Sequence, residues 1–115
     1  MIIIQANPQD VGKAVHGLLY GQELHEAGFE VEVMFDGLGT AWPGEFSKAD
    51  HPFQPLFKHV TKLGIIKGGC QACSGFFEVT DKVESAGVPL VGNEMSGGHI
   101  PFAHYIQKGF FPIIL

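Results

Sequence analysis

Apolar residues are concentrated in five short runs that alternate with longer segments of mixed polarity. The first run opens the chain at residues 2–6, and each of the other four begins directly after a glycine. Because glycine is common just past the last turn of a helix, each of these glycines marks the end of a predicted helix and the start of a predicted strand. The four positions are Gly28, Gly64, Gly87 and Gly109.

The pattern therefore predicts five strands separated by four helices. Strict alternation of strand and helix implies parallel pairing through right-handed crossovers, and hence a three-layer α/β/α sandwich around a mostly parallel five-stranded sheet. The first helix is predicted over residues 9–27. The second strand, residues 30–35, alternates acidic and apolar residues, a pattern that favours a half-exposed edge strand.

A glycine- and proline-rich insert lengthens the connection between the second and third predicted strands, over residues 36–55. Loops of this length in compact domains are often functional or interfacial. Its aromatic residues and those that follow it are expected to pack in the core or in an interface, and not to stack on a cofactor. They are Trp42, Phe46, Phe53 and Phe57.

Length and composition narrow the class of protein. A chain of 115 residues is predicted to form one domain, residues 1–115, and its 45% hydrophobic content predicts a subunit interface in addition to a core. Seven lysines, no arginine and a net charge of −5 argue against nucleic-acid binding. The apolar start is too short for a signal peptide and no run is long enough for a membrane span, so we expect a cytoplasmic protein without membrane contact.

Polar and sulfur-containing side chains follow the predicted strands at their carboxyl ends. In open α/β sheets, ligands bind at that edge. The candidate binding residues there are Asn7, Asp36, Gly69, Asn93 and Glu94, and the candidate catalytic residues are Cys70, Cys73 and His99.

The two cysteines follow the third predicted strand. Gly68 and Gly69 are expected to let the backbone leave the sheet through conformations that other residues adopt poorly, which places Cys70 at the first turn of the next helix. Unpaired N–H groups and the helix dipole favour a thiolate at such a position. Cys73, one turn later, either shares this chemistry or packs as an apolar residue. His99 either caps the last helix or faces Cys70 across the strand ends as a base or charge partner.

Several functions found on similar sheets do not fit the sequence. The segment after the first strand lacks the glycine and hydroxyl donors that an FMN phosphate needs, the third strand does not end in the aspartate of a phosphoreceiver, and the C-x-x-C motif stands after the wrong strand for a thioredoxin. A zinc site would need two further ligands, of which His99 or a neighbouring subunit could supply one. We therefore expect no cofactor and assign no metal.

Several motifs resemble the small DsrE/DsrF-like (YchN-like) proteins, and the resemblance covers most of the chain. They are Lys67-Gly-Gly-Cys70-Gln-Ala-Cys73-Ser-Gly-Phe-Phe77, Ala86-Gly-Val-Pro-Leu-Val91, Gly98-His99-Ile-Pro101 and Lys108-Gly-Phe-Phe-Pro-Ile-Ile114, with Phe35-Asp-Gly-Leu-Gly-Thr-Ala-Trp42 and Lys48-Ala-Asp-His-Pro52. The resemblance implies a flavodoxin-like α/β/α sandwich that assembles as a trimer or hexamer. It also implies a persulfide-carrying cysteine after the third strand, where Cys70 stands. Cys73 departs from the relay members but matches a small, mostly uncharacterised branch.

The sequence thus predicts a homo-oligomeric sulfur-handling protein that carries sulfane sulfur as a persulfide on Cys70, with a sulfur donor and an acceptor as partners. Cys73 would resolve or stabilise the persulfide, and His99 and Asn93 would lie near it. A second hypothesis is a small regulatory or binding module that uses the two cysteines as a dithiol sensor or as ligands of a metal or small molecule. A third is that both sulfurs only pack. Carrier and enzyme need the same activated thiol, so the sequence leaves turnover open.

Overall fold

The structure is a computed structural model that describes residues 1–115. All five strands belong to one sheet in the order β4-β3-β2-β1-β5, and every neighbouring pair is parallel. The strands are β1 (Ile2–Ile4), β2 (Val33–Phe35), β3 (Ile66–Cys70), β4 (Leu90–Val91) and β5 (Ile113–Ile114). The helices are α1 (Val11–Glu26), α2 (Trp42–Phe46), α3 (Gln54–Lys62), α4 (Gln71–Phe76), α5 (Thr80–Ser85) and α6 (Phe102–Gln107).

The predicted α/β/α architecture with a parallel five-stranded sheet is confirmed. The strand order differs from the 2-1-3-4-5 order of flavodoxin, although the layers are the same. The prediction that β2 is an edge strand is wrong, because β2 lies between β1 and β3. The acidic residues that suggested an edge, Glu30 and Glu32, precede the strand, and all three residues of β2 itself are buried.

The four glycines at the predicted helix ends all have left-handed backbones. Their φ angles are +89° at Gly28, +76° at Gly64, +81° at Gly87 and +91° at Gly109. A Cβ at any of these positions would meet nothing within 4 Å, so the glycine is needed for its conformation and not for space. The local rule that located the helix ends therefore holds at all four.

Two of the predicted connections contain more helices than expected. The 36–55 insert folds into a 3-10 turn, Gly37–Ala41, followed directly by α2, and Trp42 and Phe46 of α2 are buried in the core together with Phe57. The indole Nε1 of Trp42 donates a hydrogen bond of 2.7 Å to the carbonyl of Ala6. The helix predicted after β3 is divided into α4 and α5 by Glu78, whose φ of +57° interrupts the helical backbone.

Two apolar clusters occupy opposite faces of the sheet. The larger contains Ile2, Ile4, Val33 and Phe35 with residues of α1, α2, α3 and α5, whereas the smaller contains Ile3, Met34, Cys70 and Ile100, with Tyr105 of α6 packed against it. The first three crossovers therefore lie on one face, and the crossover from β4 to β5 lies on the other. None of the helices has the length and apolar composition needed to cross a bilayer.

Candidate functional site

The change of face between successive crossovers defines a topological switch point, the switch-point crevice, between the carboxyl ends of β3 and β4. After β3 the chain turns to the layer that contains α5, and after β4 it turns to the layer that contains α6. Such a switch point is where open α/β sheets bind ligands. Cys70 ends β3 at this crevice, and the segment 92–101 follows β4 beside it.

A register shift in β3 determines which way Cys70 faces. Val33 pairs with Ile66 but Met34 pairs with Gly68, so Lys67 is an extra residue in β3. As a result Cys70 lies in the smaller cluster with Met34 and Ile100, under the thinner helical layer.

Gly68 and Gly69 are needed for space, which corrects the prediction that they adopt conformations other residues avoid. Neither has a positive φ. A Cβ on Gly68 would overlap the side chain of Val91 and lie 3.0 Å from the carbonyl oxygen of Pro89, and a Cβ on Gly69 would lie 3.1 Å from Cγ1 of Val83. The glycine pair thus allows β4 and α5 to approach the end of β3 closely.

Cys70 is the N-cap residue of α4, and its side chain is fully buried. Its Sγ accepts a hydrogen bond from the backbone N–H of Cys73 at 3.4 Å and lies 3.8 Å from Nδ1 of His99. The thiol also donates to the carbonyl of Gly98 at 3.9 Å. Of the two alternatives for His99, the one in which it faces Cys70 is therefore present, and the His99 side chain is exposed.

The segment that carries His99 is held by its own hydrogen bonds and by α4. The side chains and backbones of Asn93 and Ser96 are hydrogen-bonded to each other, and Oδ1 of Asn93 accepts the Ser96 N–H at 2.9 Å. The Oγ of Ser96 also donates to the His99 carbonyl at 2.7 Å. The N–H of Ala72 donates to the Gly98 carbonyl at 2.9 Å, which ties the segment to the first turn of α4. Asn93 thus positions the loop and does not contact the sulfurs.

Cys73 points toward the end of β2. Its thiol donates to Oδ1 of Asp36 at 3.6 Å, and the other Asp36 oxygen accepts a 2.7 Å hydrogen bond from Nε2 of Gln5. Burial, followed by the hydrogen bond with Cys70 and the charges of Cys70 and Asp36, raises the pKa of Cys73 to about 12, although a backbone hydrogen bond with Gly37 opposes the change. Cys73 is therefore a thiol at neutral pH.

The remaining candidate residues lie outside this cluster. Asn7 is exposed and its Oδ1 accepts the backbone N–H of Gln9. Glu94 is exposed, and only its backbone carbonyl is engaged, by the N–H of Gly97. Gly69 contributes backbone pairing within the sheet. Sequence reasoning missed Gly98, whose carbonyl faces both Cys70 and α4; its position in a glycine pair directly before His99 was the available signal.

Comparisons with known proteins are consistent with the fold and name no activity. No family model matches the chain. A curated relative, uncharacterized protein MJ0733 of Methanocaldococcus jannaschii, is 26% identical over 104 residues, which are 90% of this chain and 81% of that protein. A solved structure, a conserved protein of unknown function (BT1422) from Bacteroides thetaiotaomicron, matches 99% of this chain and 93% of its own with a TM-score of 0.72 at 14% identity. The chain shares the fold of that protein.

Proposed function

We propose that this protein carries sulfane sulfur as a persulfide on Cys70. The observation that supports this most directly is the setting of the Cys70 sulfur, which lies at the switch-point crevice with the Cys73 N–H at 3.4 Å and the His99 imidazole at 3.8 Å. The resemblance of the motif around Cys70 to the DsrE/DsrF-like proteins supports the same chemistry. A persulfide donor and a thiol acceptor are its partners.

Loading is a thiolate exchange. The Cys70 thiolate attacks the terminal sulfur of a donor persulfide, R–S–SH, and R–S⁻ leaves, so that one S–S bond breaks as another forms and the oxidation state of the transferred sulfur is unchanged. In the unloading step an acceptor thiolate attacks the outer sulfur, and Cys70 leaves as a thiolate. The Cys73 N–H and the His99 ring can both donate hydrogen bonds to that leaving sulfur.

Cys73 stabilises the persulfide in this proposal and does not resolve it. A cysteine attacks as the thiolate, and a thiol with a pKa of about 12 supplies very little thiolate at neutral pH. The Cys73 backbone N–H instead donates to the Cys70 sulfur, while the Cys73 thiol donates to Oδ1 of Asp36. The raised pKa of Cys73 therefore favours a carrier that uses one thiol over a carrier that uses two.

Loading also requires motion of the segment 97–100, since Cys70 has no exposed surface. The Ala72–Gly98 hydrogen bond and the packing of Ile100 hold this segment over the sulfur. Displacing it exposes Cys70 without disturbing the sheet. A donor or acceptor protein that binds the segment would control access in this way.

The helical layer that contains α6 is thin, which supports the proposed homo-oligomer, a trimer or hexamer. The proposed location is the cytoplasm, whose reducing conditions keep both cysteines free. Helix α6 has no fully buried residue, and Ile114 of the edge strand β5 is exposed on the same face. Phe111, just before β5, is 79% exposed, and Met95, in the loop after β4, is 99% exposed. Exposed large apolar side chains on this layer are candidates for a subunit interface.

The test is the intact mass of the protein, with peptide mapping, after incubation with a sulfane-sulfur donor and removal of excess reagent. One added sulfur on the Cys70 peptide, absent in Cys70→Ser and retained in Cys73→Ser, is the expected result. Undiminished loading of Cys70→Ser contradicts the assignment. Loss of two hydrogens without added sulfur identifies a Cys70–Cys73 dithiol switch instead, which is the competing regulatory function.

A further inference from the structure

The two cysteines and His99 also have the geometry of a tetrahedral metal site. The Sγ atoms of Cys70 and Cys73 and a ring nitrogen of His99 all lie within 4.8 Å of one another. For Zn–S bonds of about 2.3 Å and Zn–N bonds of about 2.0–2.1 Å, tetrahedral angles place two sulfurs about 3.8 Å apart and sulfur and nitrogen about 3.6 Å apart. The separation of 3.8 Å between Cys70 Sγ and His99 Nδ1 is close to the latter value.

A carboxylate lies beside one of these three donors. Oδ1 of Asp36 is 3.6 Å from the Cys73 sulfur, close to the sulfur–oxygen edge of about 3.5 Å expected in a tetrahedral zinc site. The other carboxylate oxygen is held by Nε2 of Gln5 at 2.7 Å, an orienting contact of the kind that surrounds metal ligands. The three donors and this carboxylate come from three neighbouring segments, at the carboxyl ends of β2 and β3 and in the loop after β4.

The donor set selects among metals. Two thiolates and an imidazole favour Zn²⁺, whereas Mg²⁺ and Ca²⁺ require oxygen ligands. We propose that Cys70, Cys73 and His99 bind one Zn²⁺. The exposed His99 ring and the partly exposed Cys73 give the ion access from solvent, while Cys70 forms the buried floor of the site.

This inference does not rest on the persulfide chemistry, but the two activities use the same sulfur. A zinc-bound Cys70 thiolate cannot attack a donor persulfide while it is coordinated. Binding of Zn²⁺ releases the thiol protons of both Cys70 and Cys73 to solvent, so the ion binds more weakly as the pH falls. Zinc and sulfane sulfur therefore compete for the site.

The experiment titrates Zn²⁺ into the reduced full-length chain against a chromophoric chelator, and in parallel records the absorption spectrum with Co²⁺. We expect one ion per chain and a thiolate-to-cobalt charge-transfer band. Cys70→Ser and Cys73→Ser should each reduce that band. His99→Gln should lower the affinity by more than the roughly 10–100-fold typical of losing an outer-shell partner. His59→Gln, which changes an exposed histidine of α3 on the opposite face of the sheet, is the matched control and should leave affinity unchanged.

Three results would overturn the site: no stoichiometric binding by the reduced wild type, binding that both cysteine variants retain in full, or equal effects of His99→Gln and His59→Gln. Because His99 is exposed, its variant tests the site even if a serine at the buried Cys70 position impairs folding. Sulfur loading measured with and without Zn²⁺ separates the two proposals. If zinc binds but no sulfur is loaded, the metal-site proposal stands and the sulfur-carrier proposal is contradicted. If bound zinc leaves sulfur loading unaffected, the proposal that zinc and sulfur share Cys70 is contradicted.

Discussion

The close approach of β4 to β3 depends on the absence of a side chain at Gly68. An alanine there would direct its Cβ into the side chain of Val91 and to 3.0 Å from the Pro89 carbonyl, which is the acceptor for the Gly69 N–H. The methyl group cannot be accommodated by a rotamer change alone, because one of the two obstructions is backbone. We therefore expect Gly68→Ala to push β4 away from β3.

Overpacking of this kind costs about 1–3 kcal/mol. For a domain of this size 1 kcal/mol corresponds to roughly 4 °C, so the midpoint of thermal unfolding should fall by about 4–12 °C. Gly69→Ala should cost less, since its Cβ would meet only the Val83 side chain, at 3.1 Å on the other face. Gly75→Ala, in α4 with nothing within 4 Å, should stabilise by up to about 1 kcal/mol because alanine is the better helix former.

The assay is urea unfolding of the three variants and the wild type, compared at equal m-value, together with the rate at which a small alkylating reagent labels Cys70. Displacement of β4 carries the segment 92–101 with it, so Gly68→Ala should label Cys70 faster than Gly69→Ala does. If Gly68→Ala is as stable as the wild type, or if Gly69→Ala loses more stability, the packing account of the glycine pair is wrong.

Three further predictions test other parts of the structure. Trp42→Phe removes the only side-chain donor to the Ala6 carbonyl and should cost about 1–3 kcal/mol in urea unfolding; a loss under about 0.5 kcal/mol would show that the carbonyl finds another partner. Cys73, with a pKa of about 12, should be alkylated slowly at pH 8 and faster in Cys70→Ala, where the Cys70 hydrogen bond and charge are gone; identical rates would contradict that coupling. Glu78→Gly relieves a left-handed backbone at an exposed position and should raise stability by up to about 1 kcal/mol in thermal melts, whereas a decrease would indicate an unrecognised role for that side chain.

The parts of the fold that local rules govern were predictable from the sequence. Glycine past a helix end adopts a left-handed backbone for reasons contained within a few residues, so Gly28, Gly64, Gly87 and Gly109 marked four helix ends correctly, although the strands begin two to five residues later. Strand order is set by long-range pairing, and no local pattern encodes it. A local pattern can therefore mislead about strand order: the acidic residues before β2 suggested an edge strand, but β2 lies between β1 and β3.

Strand order also explains which candidate site residues meet. Cys70 and Cys73 follow β3, whose neighbours are β2 and β4, so the residues that reach them come from those strands: Asp36 and His99. Asn7 follows β1, one strand farther away, and turns back on its own loop. The sequence predicted that β2 is an edge strand. It could therefore place all the strand ends on the same side of the sheet, but it could not show that Asp36 lies nearer the cysteines than Asn7 does.

The direction in which Cys70 points depends on one extra residue in β3. If β3 ran in register with β2 throughout, Phe35 would pair with Gly68 and Cys70 would lie on the face covered by α5, because side chains alternate along a strand. Because Lys67 is an extra residue, Phe35 pairs with Gly69 instead. Cys70 therefore lies on the opposite face, where the segment after β4 packs. The contact between Cys70 and His99 thus requires both the change of crossover face and this register shift. The crossover rules predict the change of face once the strand order is known. The register shift is set instead by how Gly68 and Gly69 pack against β4 and α5.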